Sequence, residues 1–131
     1  MRVLVVEPDG LTGMMVTALL NRVVDCQASW VREEGEALFL VDQQGFDVAI
    51  CETRLRQGDG LAVGKHLASR GIAVVLTTTS DAFQLPPCDW AVGCLEKPFN
   101  ESSLMQVVTL IARTRQNQPI GDLPPHFRRF G

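Results

Sequence analysis

The chain has 131 residues, of which 46% are hydrophobic and 21% are charged. This length and composition are typical of one globular domain that buries a core without a disulfide or metal. The formal net charge of −3 argues against non-specific nucleic-acid binding, and no apolar run is long enough to span a bilayer. The four cysteines form no C-x-x-C pair, so we expect reduced thiols in a cytoplasmic protein.

The first elements predicted along the chain are strands and helices in alternation. Val3 to Val6 is short, apolar and β-branched, which predicts a strand buried on both faces. A repeat at helical spacing follows and predicts a helix with one apolar face. Its members are Leu11, Met14, Met15, Ala18 and Leu19. A weaker strand is predicted from Cys26 to Val31, and a second helix begins near Glu34 and ends before Gly45.

The same alternation continues to residue 113. A third strand, Phe46 to Cys51, leads into Glu52, and a third helix follows from Leu61 and stops at Gly71. The fourth strand, Ile72 to Leu76, leads into three threonines, and Val92 to Leu95 predicts a short fifth strand. Asn100 is predicted to cap a final helix.

Alternating strands and helices predict right-handed βαβ crossovers. The fold class is therefore α/β, with a doubly wound sheet of five parallel strands in the order 2-1-3-4-5 and helices on both faces. Pro86 and Pro87 fall between the fourth and fifth strands. Paired prolines break a helix, so we expect the fourth helix of this fold to be truncated or missing.

The composition changes after Arg113. Residues 114–131 hold three of the seven prolines and carry three arginines against one aspartate. We therefore predict a domain over residues 1–113 and a C-terminal tail over residues 114–131. The tail is either disordered or a peptide that docks on a partner or on a second copy.

Polar residues follow four of the predicted strands at the same end of the sheet. Open parallel sheets bind ligands at the carboxyl ends of their strands, so these residues predict a functional site. Core packing does not explain four polar clusters at one edge. The clusters are Glu7-Pro8-Asp9, Glu52, Thr77-Thr78-Thr79 and Lys97-Pro98.

In this order, and at these strand ends, the four clusters resemble the receiver domain of two-component response regulators. The resemblance covers about residues 1–113 and extends to the loop Gln57 to Leu61. It implies a Mg²⁺-binding acidic pair at residues 7–9 and a phosphoryl acceptor at Glu52. It also implies a switch hydroxyl at Thr78, beside Thr79, and a lysine near the phosphate at Lys97, followed by a cis-proline.

The departures from the family pattern decide the functional prediction. Glu52 replaces an aspartate, and its extra methylene moves the carboxylate by about 1.5 Å. Pro8 takes the second position of the acidic pair and offers no side-chain ligand, which leaves Glu7 and a displaced Asp9. Cys94 stands where the family often has a switch aromatic. Because Mg²⁺ requires near-ideal octahedral geometry, we expect no dedicated metal site.

We therefore predict a stand-alone, degenerate receiver that is not an enzyme and acts by protein–protein contact. Its partners would be a histidine kinase, a phosphotransferase or another regulator, with no nucleic acid, membrane or cofactor; a homodimer stays open. Glu52 and Lys97 are expected to form an ion pair, while Asp9 either faces the site or caps the first helix.

Two alternatives are weaker. The first is a working phosphoacceptor that uses Glu52 or Asp9 with weak Mg²⁺ binding. The second is an unrelated flavodoxin-like module for a small anion. It is disfavoured because the first turn, Pro8-Asp9-Gly10, lacks a glycine-rich phosphate loop.

Overall fold

The predicted alternation of strands and helices is present in the computed structural model, which describes residues 1–23, 25–79, 86, 88–116 and 121–130. The described residues form four helices and six strands. In chain order these are β1 (Arg2–Val6), α1 (Gly10–Asn21), β2 (Gln27–Val31), α2 (Glu34–Gln43), β3 (Val48–Glu52), α3 (Gly60–Ser69), β4 (Ala73–Thr78), β5 (Gly93–Glu96), α4 (Glu101–Arg115) and β6 (Phe127–Arg129).

The strands form one sheet in the order β2-β1-β3-β4-β5-β6. The first five strands pair in parallel, which confirms the doubly wound α/β fold and the predicted order 2-1-3-4-5. The sixth strand is an addition to the predicted five, and it pairs antiparallel with β5. Parallel pairing brings the carboxyl ends of β1, β3, β4 and β5 to one edge of the sheet.

The sheet separates two apolar cores. Successive side chains of a strand point to opposite faces, so Leu4 and Ala49 lie in one core while Val3 and Val48 lie in the other. Helices α2 and α3 cover the first core, and α1 and α4 cover the second. The buried helical residues are Ala37, Val41, Val63 and Leu67 on the first side and Val16, Leu20, Leu104, Val107 and Ile111 on the second.

Helix α1 turns a different face to the core from the one predicted. Its buried residues are Gly13, Val16 and Leu20, whereas Leu11 is 79% exposed and Met14 is 62% exposed. The indole of Trp30 lies against Gly13, where an added Cβ would be 2.1 Å from the ring. Only the glycine face allows this approach, and so it packs inward. Four of the five predicted positions are therefore exposed, and Leu19 packs partly against the second core.

The C-terminal segment adds the sixth strand, which the sequence analysis did not foresee. Phe130 donates its N–H to the carbonyl of Val92 at 2.9 Å, and Glu96 donates to the carbonyl of His126 at 2.9 Å. Phe127 and Phe130 are both buried, one in each core. The segment therefore covers the otherwise open edge of β5 while it removes two aromatic rings from water.

The prediction of a truncated or missing helix between β4 and β5 concerns residues 80–87, and positions 80–85 and 87 lie outside the described residues. Among the helices that the structure describes, none combines the length and the apolar character needed to cross a membrane.

Substitution of Gly93 tests the docking of β6. A Cβ on Gly93 would lie 2.4 Å from the carbonyl oxygen of Arg128 and 2.6 Å from the Phe127 ring. We expect Gly93→Ala to displace β6 and to lower the free energy of unfolding in urea by about 1–3 kcal/mol. Hydrogen exchange should show faster exchange of the Phe130 N–H.

Gly35→Ala is the matched control for this substitution, because an added Cβ at Gly35 in α2 meets nothing within 4 Å. It should leave the stability unchanged or raise it by up to about 1 kcal/mol through helix propensity. Equal stability of the two alanine variants would contradict the assigned role of Gly93.

Candidate functional site

The site lies at the carboxyl edge of the sheet, where four neighbouring strands end. Glu7 follows β1 and Glu52 is the last residue of β3. Thr77 lies in β4 directly opposite Glu52, and Lys97 follows β5. These side chains come from positions up to 90 residues apart in the chain, so the parallel register of the sheet brings them together.

The ammonium group of Lys97 bridges two buried carboxylates. Its Nζ donates to Glu7 Oε1 and lies 3.0 Å from Glu52 Oε2. Glu7 and Glu52 are each only 4% exposed. The predicted ion pair between Glu52 and Lys97 is therefore present, with Glu7 as a second partner that was not predicted. The Lys97–Pro98 peptide bond is cis, as expected.

A threonine completes the surroundings of Glu52. The hydroxyl of Thr77 donates to Glu52 Oε2 at 3.0 Å. Thr78, the residue expected to carry the switch hydroxyl, is also buried and accepts from the backbone N–H of Lys97 at 2.7 Å through its carbonyl. Thr79 is exposed. Three consecutive threonines cannot be told apart in sequence, and only the strand register places Thr77 opposite Glu52.

Trp30 in β2 and Arg32 just after β2 hold the loop that carries Glu7 by hydrogen bonds. Trp30 donates its indole N–H to the carbonyl of Glu7 at 2.9 Å. Arg32 donates to the carbonyl of Pro8 from Nε at 3.2 Å and from Nη2 at 2.8 Å. Its guanidinium lies 5.6 Å from the centroid of the Trp30 ring, a cation–π distance. Sequence analysis identified neither Trp30 nor Arg32 as a site residue, since no local pattern signals such contacts.

Asp9 caps helix α1. Its carboxylate accepts from the Thr12 N–H at 2.9 Å and from the Thr12 hydroxyl at 2.6 Å. These hydrogen bonds from Thr12 hold the pKa of the exposed Asp9 carboxyl below its usual value. Of the two alternatives left open by the sequence, the structure shows the cap. The backbone N–H of Asp9 in turn donates to Glu7 Oε2 at 3.0 Å.

The residues present do not fit the Mg²⁺ that the family resemblance implies. Pro8 contributes only its carbonyl oxygen, and that oxygen is engaged by Arg32. The Glu7 and Glu52 carboxylates face the Lys97 ammonium, which lies between them. Within the described ranges, no group of three or more His, Cys, Asp or Glu side chains is arranged to hold a metal ion.

Two cysteines lie beside the site but are not nucleophiles. Burial raises the pKa of Cys51 to about 12, and the neighbouring Glu52 carboxylate adds to the shift. Burial likewise raises the pKa of Cys94 to about 12. Both thiols therefore stay protonated at neutral pH. Cys94, at the position of the expected switch aromatic, packs in the same core as Phe130.

The charge state of Lys97 is set by its two partners. Burial alone would lower the pKa of Lys97, but the hydrogen bonds to Glu7 and Glu52 outweigh burial and raise this pKa above the usual 10.5. A raised lysine pKa contributes stability that is fully present below the usual value. That contribution is lost only as the pH rises through the folded-state pKa. The bridge is therefore intact at neutral pH.

Lys97→Met tests the bridge. The variant leaves Glu7 and Glu52 buried, adjacent and without their cation. We expect the free energy of unfolding at pH 7 to fall by about 3–5 kcal/mol, the usual cost of breaking a buried ion pair from one side. Urea denaturation at pH 7 measures this loss.

The Arg70–Asp42 ion pair provides the matched control. Its N–O distance is 2.8 Å, but the two side chains are 43% and 61% exposed. Arg70→Ala should therefore cost less than about 1 kcal/mol. Similar small losses for Lys97→Met and Arg70→Ala would show that the bridge contributes no more than a surface pair.

Comparisons with known proteins bear on the family and the fold. The family model described as "Response regulator receiver domain" matches residues 3–109. No curated protein matches the chain.

Many solved structures are similar to this chain. A response regulator receiver domain from Methylobacillus flagellatus has 24% identity and a TM-score of 0.73, with 84% of this chain and 97% of that chain covered. The chemotaxis response regulator CheY4 of Vibrio cholerae has 22% identity and a TM-score of 0.74, with the same coverage of 84% and 97%. A CheY-like receiver domain protein from Methanospirillum hungatei has 21% identity and a TM-score of 0.73, covering 89% and 98%.

Proposed function

The chain belongs to the response regulator receiver domain family, and we propose that it acts in two-component signalling as a degenerate receiver. In this role it binds partner proteins without accepting a phosphoryl group. The observation that carries the proposal is the Lys97 ammonium bound to both Glu7 and Glu52. The Lys97 ammonium already engages the two carboxylates that a metal would need as ligands.

The surroundings of Glu52 support this proposal. Its Oε2 atom receives two donors, the Lys97 ammonium and the Thr77 hydroxyl, both at 3.0 Å. Two donors on one carboxylate oxygen reduce its nucleophilicity, because they engage its electron density. Glu52 is also almost fully buried, which restricts the in-line approach of a phosphodonor.

The same contacts suggest how the domain works. Glu52, Lys97 and Thr77 satisfy one another, so the polar groups at the strand ends need no phosphoryl group to complete them. In the described part of the chain no buried side-chain N or O lacks a hydrogen-bond partner. We therefore expect one stable conformation of the site, presented to a histidine kinase, a phosphotransferase or another regulator.

The first test is phosphorylation. After incubation with Mg²⁺ and acetyl phosphate, intact-mass measurement should show no gain of a phosphoryl group, because Glu52 is held by Lys97 and Thr77. A receiver that retains its aspartate and acidic pair is the positive control. A stoichiometric gain that Glu52→Gln abolishes would overturn the proposal.

The competing function is a phosphoacceptor that uses Asp9, and one observation favours it. Asp9 is exposed and lies next to Glu7, so a phosphodonor can reach it. The same mass measurement on Asp9→Asn separates the two ideas. A phosphoryl gain that survives Glu52→Gln but is lost in Asp9→Asn would establish Asp9 as the acceptor.

The second test restores the missing ligands. Pro8→Asp combined with Glu52→Asp should recover Mg²⁺ binding, because it returns a second acidic ligand and shortens the acceptor by one methylene. Titration can be followed by tryptophan fluorescence, since Trp30 is hydrogen-bonded to the loop that carries Glu7. Glu52→Asp alone is the control and should bind more weakly. If the double variant does not bind Mg²⁺, the geometry of the loops has changed in addition to the two side chains.

A further inference from the structure

The C-terminal segment, residues 121–130, is held by β5 in the way that a sheet edge holds a bound peptide. Its strand β6 pairs antiparallel with residues 93–95 of β5. In such complexes main-chain pairing supplies affinity, and alternate side chains in pockets supply specificity. Phe127 and Phe130 are those side chains here. They lie three positions apart, so they point to opposite faces of the sheet, and each is buried in a different core.

The part of the C-terminal segment that precedes β6 makes little contact with the domain. Gly121 and Asp122 are exposed, and Leu123 is 43% exposed. A cavity of about 380 Å³ lies between the first two of these residues and α4. His126 has a φ of 62°, in the left-handed region that few residues other than glycine adopt. The docked state therefore depends on β6 and the residues packed directly beside it.

We propose that the edge of β5 is a strand-binding surface for a different protein, and that the C-terminal segment competes for this edge as an internal ligand. The partner that fits supplies an extended segment with two aromatic side chains three positions apart and basic residues between them. Short strands with few buried contacts open while the rest of a domain stays folded, which gives the partner access. The proposal does not depend on the role assigned to Glu52 and Lys97.

Gly93 shows that β5 is shaped for a close strand. A Cβ at this position would lie 2.4 Å from the carbonyl oxygen of Arg128 and 2.6 Å from the Phe127 ring. Only glycine allows the neighbouring backbone to approach so closely. When the C-terminal segment leaves, β5 presents unpaired backbone groups and the two pockets of the phenylalanine rings. A sheet edge of this kind pairs with another strand.

Charge decides the chemistry of the partner segment. Residues 1–113 hold nine basic and 14 acidic residues, a formal charge of −5, so the domain attracts a basic segment. The guanidinium of Arg128 lies 5.5 Å from the centroid of the Phe130 ring, a cation–π distance. A basic residue between the two aromatic positions is therefore favoured both by the domain and by the neighbouring ring.

The covalent tether argues against a second copy as the occupant. Tethering gives the C-terminal segment an effective concentration at β5 on the order of mM. Another copy offers the same sequence, and hence the same affinity, at its much lower solution concentration. Only a segment that binds β5 more tightly than the chain's own segment displaces it, and such a segment belongs to a different protein.

A peptide added in trans tests the surface. Phe127→Ala combined with Phe130→Ala in the full chain should release the C-terminal segment, with circular dichroism as the check on folding. A fluorescent peptide of residues 121–130 should bind this variant in anisotropy titrations. It should bind the unchanged chain at least about tenfold more weakly, because the tethered segment competes. Absence of binding to the folded variant, or equal binding to both chains, would overturn the proposal.

The matched control peptide exchanges the last two residues, Arg129 and Phe130. Its composition and charge are unchanged, but its two aromatic rings lie two positions apart and point to the same face of a strand. We expect it to bind the double variant at least about tenfold more weakly than the natural order. Equal binding of the two peptides would show that charge alone holds them, and the strand geometry would be wrong.

Native-state hydrogen exchange tests the unchanged chain, so the proposal does not rest on the folding of a variant. The N–H groups of Glu96 and Phe130 are bonded across the β5–β6 contact. They should exchange at least about tenfold faster than the N–H groups of β1, because the C-terminal segment opens separately. Exchange of both sets at one rate would mean that the segment leaves only on global unfolding, and no partner could use the edge.

Sedimentation equilibrium separates a different protein from a second copy. The unchanged chain should keep its monomer mass of 14.4 kDa up to roughly 100 µM, well below the effective concentration of the tethered segment. Dimers that form in this range and disappear in the double phenylalanine variant would show that a second copy supplies the strand. That result would overturn the assignment of the edge to a different protein.

Discussion

The contact between Lys97 and two carboxylates is the constraint on which the carboxyl edge of this sheet depends. Glu7 follows β1, Glu52 ends β3 and Lys97 follows β5, so one ammonium group joins the ends of three strands. Two carboxylates that are almost fully buried cannot remain close together without a cation, because desolvation and mutual repulsion act in the same direction. Lys97 supplies that cation from within the chain.

At two glycines beside this edge, the absence of a Cβ allows neighbouring elements to pack closely. Gly13 lets the Trp30 indole lie directly against α1, and the same indole holds the carbonyl of Glu7. Trp30 therefore both packs against α1 and positions Glu7. Gly93 plays the equivalent part on the far side, where β6 approaches β5 too closely for any Cβ. In both places a missing side chain allows an aromatic ring to reach its site.

Most of the fold could be predicted from local sequence patterns. Buried parallel strands are continuous apolar runs, and their alternation with helical repeats leaves few topologies, so the order 2-1-3-4-5 followed. The face of α1 was predicted wrongly because this uncharged helix carries apolar residues on two sides, and Trp30 selects between them. The strand β6 was missed because residues 127–129 are too few to show a period; its stability comes from burying Phe127 and Phe130.

The sequence by itself determined the parallel α/β architecture and the strand ends that carry polar groups, and it predicted the Glu52–Lys97 pair. Only the tertiary structure decided that Glu7 shares Lys97, that Thr77 is the threonine that reaches Glu52, and that Arg32 holds Pro8. The physical reason is distance along the chain. Residue type and period are local properties, whereas strand register and the contacts of long side chains exist only once distant segments are packed together.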